Sequence, residues 1–263
     1  MSSGTERTRL IVTGGGSGIG RAIAVEMLRG DRADVVVLDR DGDAANATLN
    51  ALGDRGRAAI EIDVGDPVLV TEAVEAAVGA LGGLDAIVNC AGINIHEDTV
   101  SATPAAFEQT LRVNVMGTFF CSQTAARQMI KQETGGTILM MSSTAAFGYV
   151  SGLGPHYTAS KAAIAGMATA MAGELAPQAI RVNAIAPGPT VTPMTDRLRR
   201  SLTREELARY VPLGRFIEPA EVAQLVAYLV SPAGAMISGQ VIGINGATTA
   251  FAAPRRVRTS SDA

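Results

Sequence analysis

The feature that most constrains this chain is a regular alternation of short aliphatic runs and longer helical segments. The aliphatic runs predict seven β-strands, at residues 10–12, 34–38, 58–62, 85–89, 137–141, 180–185 and 240–244. Helical segments separate them, at residues 21–28, 43–52, 66–81, 104–132, 157–175 and 221–230. Strands that alternate with helices form βαβ crossovers, so the pattern predicts an α/β fold with a doubly wound parallel sheet of about seven strands.

No proline-rich or charged linker interrupts this series, and we therefore predict a single domain. The domain is expected to cover residues 9–253, after an N-terminal extension at 1–8 and before a polar C-terminal tail at 254–263. The regular pattern lapses over about residues 190–213, where we expect a loop with a short polar helix. Such a loop is placed to close over a substrate.

The composition excludes several classes of protein. A chain with 47% hydrophobic and 18% charged residues is too apolar to be disordered. Two cysteines are too few to form the disulfide framework of a small secreted protein. The 22 basic and 25 acidic side chains form no basic stripe, so we expect no nucleic-acid partner. No apolar window reaches ~18 residues and we find no signal peptide, so we expect no membrane association and a cytoplasmic protein.

A glycine-rich turn joins the first predicted strand to the first predicted helix. Its sequence, Thr13-Gly14-Gly15-Gly16-Ser17-Gly18-Ile19-Gly20, does not fit the G-x-G-x-x-G template. The free N–H groups of a helix N-terminus bind a diphosphate only where no Cβ blocks its approach, which explains glycine at this place. The turn predicts the dinucleotide site of a Rossmann-type fold, with contacts from Gly14, Ser17, Gly18, Ile19 and Gly20.

The second predicted strand is followed by Asp39, nineteen residues after Gly20. A carboxylate here can accept both ribose hydroxyls of an adenosine and repels a 2′-phosphate, which favours NAD over NADP. Arg40 keeps NADP as an alternative, because its guanidinium could bind the 2′-phosphate or stack on the adenine instead. A purely structural role for Asp39, as a helix N-cap, is a further alternative.

Two more predicted strands end in residues suited to a cofactor. Asp63 and Val64 follow the third strand, and the fourth ends in Asn89-Cys90-Ala91-Gly92. Ligands bind at the carboxyl ends of parallel strands in open α/β sheets, so we expect Asp63, Val64, Asn89, Ala91 and Gly92 to contact the cofactor.

A phenol and an ammonium, Tyr157 and Lys161, lie one helical turn apart on the same face of a predicted helix. A tyrosine of pKa ~10 is a poor base at neutral pH, and lowering its pKa to ~7 requires about 4 kcal/mol. An ammonium at about 5 Å supplies roughly 3 kcal/mol, and the positive nicotinamide of NAD can supply the remainder. We therefore expect Tyr157 to take a proton from an alcohol as hydride leaves carbon.

Two polar residues elsewhere in the sequence support a catalytic role for Tyr157 and Lys161. Ser143 ends a strand fourteen residues before Tyr157, where a hydroxyl can bind the substrate oxygen. Asn114 interrupts an apolar helix with an amide that needs partners. A kinked helix that binds water at this place would pass protons from Lys161 to solvent.

Together these residues resemble the short-chain dehydrogenase/reductase family, from about residue 9 to residue 249. The shared motifs are Thr13-Gly14-x-x-x-Gly18-x-Gly20, Asn89-x-Ala91-Gly92, Asn114, Ser143, Tyr157-x-x-x-Lys161 and Pro187-Gly188. The resemblance implies that Tyr157 is the acid/base, Lys161 lowers its pKa and holds the nicotinamide ribose, Ser143 positions the substrate oxygen, and Asn114 anchors a proton-relay water. It also implies nicotinamide contacts from Pro187, Gly188, Thr190 and Thr192. Tyr157 is expected, with Lys161, among the residues that contact the cofactor.

The chain departs from the family pattern at three places. Cys90 stands where many relatives have a second asparagine, and Asn245-Gly246-Ala247 replaces a frequent Asp-Gly-Gly. The family's serine commonly lies thirteen residues before the tyrosine, a distance that here falls on Thr144. We favour Ser143, because its strand aligns without a gap, and Thr144 stays the alternative.

One predicted helix indicates self-association. Residues 162–173 carry no charge on any face, and a helix that is apolar all round must be covered all round. We expect a homo-oligomer, and the family resemblance implies a homotetramer.

With two histidines and no carboxylates at matching spacing, we expect no metal site.

The sequence thus predicts an NAD(H)-dependent oxidoreductase that interconverts a secondary alcohol and a ketone. One alternative is an NADPH-dependent reductase of 3-oxoacyl thioesters, against which Asp39 argues. Another is a catalytically silent NAD-binding scaffold, against which the presence of Tyr157, Lys161 and Ser143 argues. The loop at 190–213 has neither a dominant charge nor an aromatic cluster, so it does not identify the substrate.

Overall fold

A computed structural model of the chain describes residues 7–29, 32–148, 150 and 152–249. Within them, seven strands form one sheet in the order β3-β2-β1-β4-β5-β6-β7, and every neighbouring pair is parallel. The strands are β1 (Thr8–Thr13), β2 (Ala33–Asp39), β3 (Gly56–Glu61), β4 (Ala86–Asn89), β5 (Gly136–Met141), β6 (Ile180–Pro187) and β7 (Val241–Ile244). The predicted fold class, a Rossmann-type α/β domain, is confirmed.

The helices that connect these strands cover both faces of the sheet. They are α1 (Gly18–Glu26), α2 (Gly42–Leu52), α3 (Pro67–Leu81), α4 (Pro104–Leu111), α5 (Thr118–Gln132), α6 (Pro155–Leu175), α7 (Asp196–Ser201), α8 (Arg204–Tyr210) and α9 (Pro219–Val230). No helix within the described ranges is long and apolar enough to cross a bilayer.

Successive side chains of the central strands enter two different hydrophobic layers. Ile11 of β1 packs with α3, α5 and α6, whereas its neighbours Leu10 and Val12 pack with α1, α2 and α9. All three side chains are fully buried. A parallel sheet covered on both faces requires such continuous apolar runs, which is why the strands could be recognised in the sequence.

The structure differs from the sequence prediction at three places. Strand β1 begins at Thr8, inside the predicted extension, because the Thr8 N–H bonds the carbonyl of Arg32 at 2.9 Å. The helix predicted at 104–132 is divided by a π-helical turn, Arg112–Gly117. The segment at 190–213 contains a 3₁₀ turn, Pro193–Thr195, and the two helices α7 and α8, where one helix was predicted. The predicted tail at 254–263 lies outside the described residues.

The position of the site follows from the strand order. The sequence of connections reverses direction between β1 and β4, which are neighbours in the sheet. At such a reversal the helices leave toward opposite faces, and a crevice opens at the carboxyl ends of the strands.

Candidate active site

A cleft of about 400 Å³ lies at the carboxyl ends of the strands. It brings together residues from the turn after β1, the ends of β2 to β6, and helix α6. The predicted residues that line it are Gly14, Ser17, Gly18, Ile19, Gly20, Asp39, Arg40, Asp63, Val64, Ala91, Gly92, Ser143, Tyr157, Lys161, Pro187, Gly188, Thr190 and Thr192. Asn89 and Asn114 were predicted with them but do not line the cleft.

The glycine turn leaves no room for side chains. Gly14 and Gly18 have positive φ angles of 63° and 51°. A Cβ on Gly14 would lie 2.7 Å from the Ala91 nitrogen, and one on Gly20 would overlap the Gly14 carbonyl oxygen. Helix α1 begins at Gly18 and receives no side-chain cap from Ser17, so its first N–H groups have no side-chain acceptor from this residue. These features fit a diphosphate at the helix N-terminus.

Asp39 is held at this turn by the backbone. Its Oδ2 atom accepts a hydrogen bond from the Gly16 nitrogen at 2.8 Å, and its Oδ1 atom accepts one from the Asp41 nitrogen at 3.0 Å. The alternative role as a helix cap is excluded, because Asp41 caps α2 by accepting from the Ala44 nitrogen. The Asp39 carboxylate therefore lies beside the glycine turn with lone pairs left for the two hydroxyls of a ribose.

Asp63 and an arginine that sequence analysis missed form the next wall of the cleft. The Asp63 Oδ1 atom accepts from the Gly65 nitrogen at 2.9 Å, and Oδ2 lies 3.5 Å from an Arg112 nitrogen. Arg112 is the first residue of the π-helical turn and lines the cleft. Both side chains are about half exposed, so the pair is worth little for folding. Its place in the cleft fits contact with a bound nucleotide.

The segment after β4 lies against β1 at the base of the cleft. The Ala91 nitrogen donates to the Thr13 hydroxyl at 3.2 Å, which fixes Ala91 and Gly92 beside the glycine turn. Asn89 points away into the protein, where its Nδ2 atom donates to the Ser122 hydroxyl at 3.0 Å and the Leu139 carbonyl at 3.3 Å. The side chain of Asn89 therefore joins β4 to α5 and β5, and only its neighbours face the cleft.

The π-helical turn holds Asn114 in a fully buried position. Its Oδ1 atom accepts from the Ile93 nitrogen at 2.8 Å, and its Nδ2 atom donates to the Ile93 carbonyl and the Ser160 hydroxyl, both at 3.0 Å. The amide thus ties the segment after β4 to α6. The predicted kink is present, because a π turn interrupts the helical hydrogen-bond ladder. Since protein groups occupy the side chain, a proton relay here would have to use backbone carbonyls.

Lys161 is buried beneath the cleft and is held by the end of β5. Its Nζ atom donates to the Met141 carbonyl at 2.9 Å and lies 5.5 Å from the ring centre of Tyr157. A Cβ on Gly92 would be 3.4 Å from that Nζ atom and 3.3 Å from Asn114 Oδ1. Burial lowers the pKa of Lys161 to about 8.

Tyr157 lies beside Ser143 and lines the same cleft. Burial raises the pKa of the Tyr157 phenol to about 12, and a hydrogen bond with Ser143 opposes that rise. The predicted pKa near 7 is therefore not reached through the protein's own groups. Ser143 lines the cleft, whereas Thr144 is buried and does not. Of the two candidate hydroxyls, only Ser143 lines the cleft together with Tyr157.

The loop after β6 forms the outer wall. Pro187 ends the strand, and the Thr190 hydroxyl donates to the Gly188 carbonyl at 3.0 Å. A Cβ on Gly18 would lie 3.3 Å from the Thr192 side chain, so this loop meets the glycine turn across the cleft. The two predicted cofactor segments, more than 160 residues apart in the chain, are thus adjacent in space.

Several residues of the cleft were not predicted as site residues. They are Ile62, Cys90, Ile93, Gln109, Arg112, Val113, Met141, Ser142, Pro193, Met194 and Thr195. Most adjoin a predicted motif in the chain, which is the signal that could have found them. Gln109 and Arg112 precede Asn114 without any motif of their own. Burial raises the pKa of the Cys90 thiol to about 12, so this cysteine is not a nucleophile at neutral pH.

The chain is similar to known proteins over nearly its whole length. The model of a family described as enoyl-(acyl carrier protein) reductase matches residues 14–249. A short-chain dehydrogenase/reductase of Armillaria gallica is 37% identical over 254 residues, with 90% of this chain and 94% of that protein covered. A 3-oxoacyl-[acyl-carrier-protein] reductase of Thermotoga maritima is 36% identical over 242 residues, with coverages of 90% and 95%.

Solved structures give the same result. A short-chain type dehydrogenase/reductase from Mycobacterium marinum has a TM-score of 0.86 and 33% identity, and the match covers 93% of this chain and 96% of that one. A 3-ketoacyl-(acyl-carrier-protein) reductase from Brucella melitensis, complexed with NADH, has a TM-score of 0.82 and 30% identity, with coverages of 91% and 97%. The chain belongs to the short-chain dehydrogenase/reductase family.

Proposed function

We propose that this protein is an NAD(H)-dependent oxidoreductase that interconverts a secondary alcohol and a ketone. One observation carries the proposal. The Tyr157 phenol is hydrogen-bonded to Ser143, and the centre of its ring lies 5.5 Å from the Lys161 Nζ atom. Tyr157 lines the same cleft as the glycine turn and Asp39. A proton-transfer group and a dinucleotide cradle in one cleft are what hydride transfer to a carbonyl requires.

Each residue of the reactive group has a separate task. When bound, NAD supplies the carbon that accepts or returns the hydride. Tyr157 gives a proton to the ketone oxygen or takes one from the alcohol, and Ser143 holds that oxygen by a hydrogen bond. Lys161 favours the phenolate electrostatically, because its charge lies one helical turn away. Asn114 positions this group by tying α6 to the segment after β4.

The preference for NAD follows from Asp39. Its carboxylate is fixed beside the glycine turn by two backbone hydrogen bonds, so it cannot turn away from a bulky anion without losing them. A 2′-phosphate on the ribose would meet this negative charge, whereas free ribose hydroxyls would donate to it. The Brucella melitensis neighbour, complexed with NADH, supports this choice by analogy.

The test is turnover with both cofactors over a panel of sugar alcohols, hydroxy acids, dihydrodiols and hydroxysteroids. We expect at least one secondary alcohol to reduce NAD, with kcat/KM at least about tenfold higher for NAD than for NADP. A higher kcat/KM with NADP would contradict the cofactor assignment. The protein could instead bind NADH but oxidise no alcohol of the panel and reduce none of the corresponding ketones. That result would favour a catalytically silent scaffold.

A second candidate is reduction of 3-oxoacyl thioesters with NADPH. It is favoured by relatives that carry the name 3-oxoacyl-[acyl-carrier-protein] reductase, among them the one from Thermotoga maritima. Asp39 argues against NADPH, and the same panel should therefore include a short 3-oxoacyl thioester with each reduced cofactor. A kcat/KM with NADPH above every value obtained with NADH would replace the first proposal by this one.

We also propose a cytoplasmic homotetramer in which α6 contributes to an interface between subunits. Gly166 lies on the exposed side of α6, and no atom of its own chain lies within 4 Å of a Cβ placed on it. Gly79 on α3 is equally open and serves as the control. Gly166→Arg should dissociate the assembly in light scattering, and Gly79→Arg should leave it intact. A monomeric wild-type protein would contradict the assignment.

A further inference from the structure

A second carboxylate lies beside Asp39 at the carboxyl end of the sheet. Strands β2 and β3 pair Asp39 with Glu61 in parallel register. Paired residues of neighbouring strands are about 4.8 Å apart, and their side chains leave the sheet on the same face. Glu61 is therefore the immediate neighbour of the residue proposed to bind the adenosine ribose.

The Glu61 side chain extends toward the start of α2. A Cβ placed on Gly42 would lie 2.6 Å from Glu61 Oε2 and 3.4 Å from Glu61 Cβ. Asp39 accepts from the Asp41 nitrogen at 3.0 Å, so the two carboxylates flank the same short segment from both strands. Glycine at position 42 is what allows the Glu61 carboxylate to lie against the backbone here.

The space around this segment continues from the cofactor cleft. A second hollow is lined by Arg40, Asp41, Gly42, Asp43, Asn46 and Glu61. Arg40 lines both this hollow and the main cleft, so the two meet at the residue that follows Asp39. Arg40 would attract a 2′-phosphate, and Asp41 and Asp43 of the same hollow oppose it together with Asp39 and Glu61. Of these, Asp41 is engaged as the cap of α2, and Glu61 is the one that pairs with Asp39 across the strands.

We propose that Glu61 is a second specificity-determining residue, which acts with Asp39 to reject dinucleotides that carry a 2′-phosphate. Glu61 does so by repelling the phosphate and by offsetting the charge of Arg40. The inference rests on the proposed assignment of Asp39 to the adenosine ribose. Because Glu61 lines the outer hollow and not the main cleft, its charge affects the phosphorylated ribose and leaves the binding of NADH unchanged.

The expected size of the effect is calculated for a Glu61 carboxylate about 7 Å from the phosphate, which is about one and a half strand spacings. A unit charge about 7 Å from a doubly charged phosphate changes its affinity roughly fivefold to tenfold in water. The Glu61 side chain is exposed, so the change to glutamine removes the charge and leaves packing nearly intact.

The test compares two ligands that differ only in the 2′-phosphate, adenosine 2′,5′-bisphosphate and AMP, by calorimetry on the full chain. Glu61→Gln should tighten the bisphosphate roughly fivefold to tenfold and leave AMP within about twofold. Asp54→Asn is the matched control, since Asp54 is exposed and precedes the opposite end of β3. It should change neither affinity.

The same comparison in an Asp39→Asn background separates the two carboxylates. Glu61→Gln should again tighten the bisphosphate roughly fivefold to tenfold there, while Asp54→Asn should not. Since the chain has no tryptophan, NADH and NADPH affinities can be followed by nicotinamide fluorescence without protein background of that type. A matching gain for NADPH alone is expected.

Two results would overturn the inference. One is equal effects of Glu61→Gln and Asp54→Asn on the bisphosphate, and the other is an equal gain for AMP and the bisphosphate. Should Glu61→Gln fail to fold, Glu61→Thr carries the same expectation with a residue that suits a strand. A wild-type protein that prefers NADPH would contradict the proposed cofactor. A Glu61 variant that behaves like the Asp54 control would contradict only the role of Glu61, so the two failures can be told apart.

Discussion

The two halves of the cleft are built in different ways. On the nucleotide side, the groups that face a ligand are backbone atoms of the glycine turn and the partly exposed carboxylate of Asp39. On the reactive side they are the buried side chains of Tyr157 and Lys161, with Lys161 held by the Met141 carbonyl. Behind them, outside the cleft, Asn114 is held by both backbone groups of Ile93. Changes on the first side should alter which dinucleotide binds, and changes on the second should alter the rate of proton transfer.

Removal of the Lys161 charge should have the largest effect of the substitutions that leave Tyr157 in place. At 5.5 Å from the Tyr157 ring, this charge favours the phenolate by about 3 kcal/mol at an effective dielectric constant of about 20. Lys161→Met should therefore lower kcat for alcohol oxidation about 100-fold near neutral pH.

The pH dependence gives the sign of this effect. Alcohol oxidation needs the phenolate, so its rate rises with pH through the pKa that Tyr157 has beside the positive nicotinamide of bound NAD. The Lys161 ammonium is charged below its own pKa of about 8 and favours the phenolate in that range. Loss of the ammonium raises the pKa of Tyr157, and the profile for Lys161→Met should move about 2 pH units upward. Lys131→Met, at an exposed lysine of α5, is the control and should keep the wild-type profile. A profile that does not move would contradict the electrostatic role of Lys161.

The hydroxyl beside Tyr157 should have the next largest effect. Ser143→Ala removes a hydrogen bond to the reacting oxygen and should lower kcat about tenfold to 100-fold, the range for a hydrogen bond to a charged group. Thr144→Val is the matched control, because Thr144 is buried outside the cleft. Steady-state kinetics of both variants decide between the two hydroxyls, and a larger loss for Thr144→Val would reverse the assignment.

On the nucleotide side, a single added methyl group should disturb the cradle. A Cβ on Gly20 would overlap the Gly14 carbonyl oxygen, so Gly20→Ala should lower the free energy of unfolding by about 1–3 kcal/mol and weaken NADH. Urea unfolding and nicotinamide fluorescence measure the two quantities. A variant with wild-type stability and NADH affinity would contradict the account of the glycine turn.

The smallest expected effect comes from Gly79→Ala, the control for Gly20→Ala. Gly79 lies inside α3, and no atom lies within 4 Å of a Cβ placed there. Gly79→Ala should therefore raise the free energy of unfolding by about 0.5–1 kcal/mol, since alanine favours a helix more than glycine does. NADH affinity should stay unchanged, and a loss of stability would show that the Cβ at this position is not free of contacts.

The sequence predicted the sheet and most of the cleft for a physical reason. Strands buried on both faces must be aliphatic throughout, and the cradle requires glycine where a Cβ would collide, so both leave marks in the residue types. The direction of a side chain leaves no such mark. Asn89 and Ala91 were predicted as equals, yet Asn89 turns inward to Ser122 while Ala91 faces the cleft.

Other features depended on contacts between distant segments. Arg112 lies in the cleft because the π-helical turn brings it close to Asp63. No pattern in the neighbouring sequence predicts this ion pair. Glu61 became informative only through its register with Asp39. The lowered pKa of Tyr157 was predicted from the Lys161 charge together with the positive nicotinamide of bound NAD. Burial, which a sequence shows poorly, acts in the opposite direction and raises this pKa to about 12.

The central claim is that Tyr157 transfers the proton and takes little part in holding the dinucleotide. The most direct measurement is kcat and the Kd of NADH for Tyr157→Phe in one preparation. The account predicts a loss of kcat of about 1000-fold, within the usual range for a general acid or base, with the Kd of NADH changed by less than about twofold. Turnover at the wild-type rate, or a parallel loss of NADH binding, would contradict it.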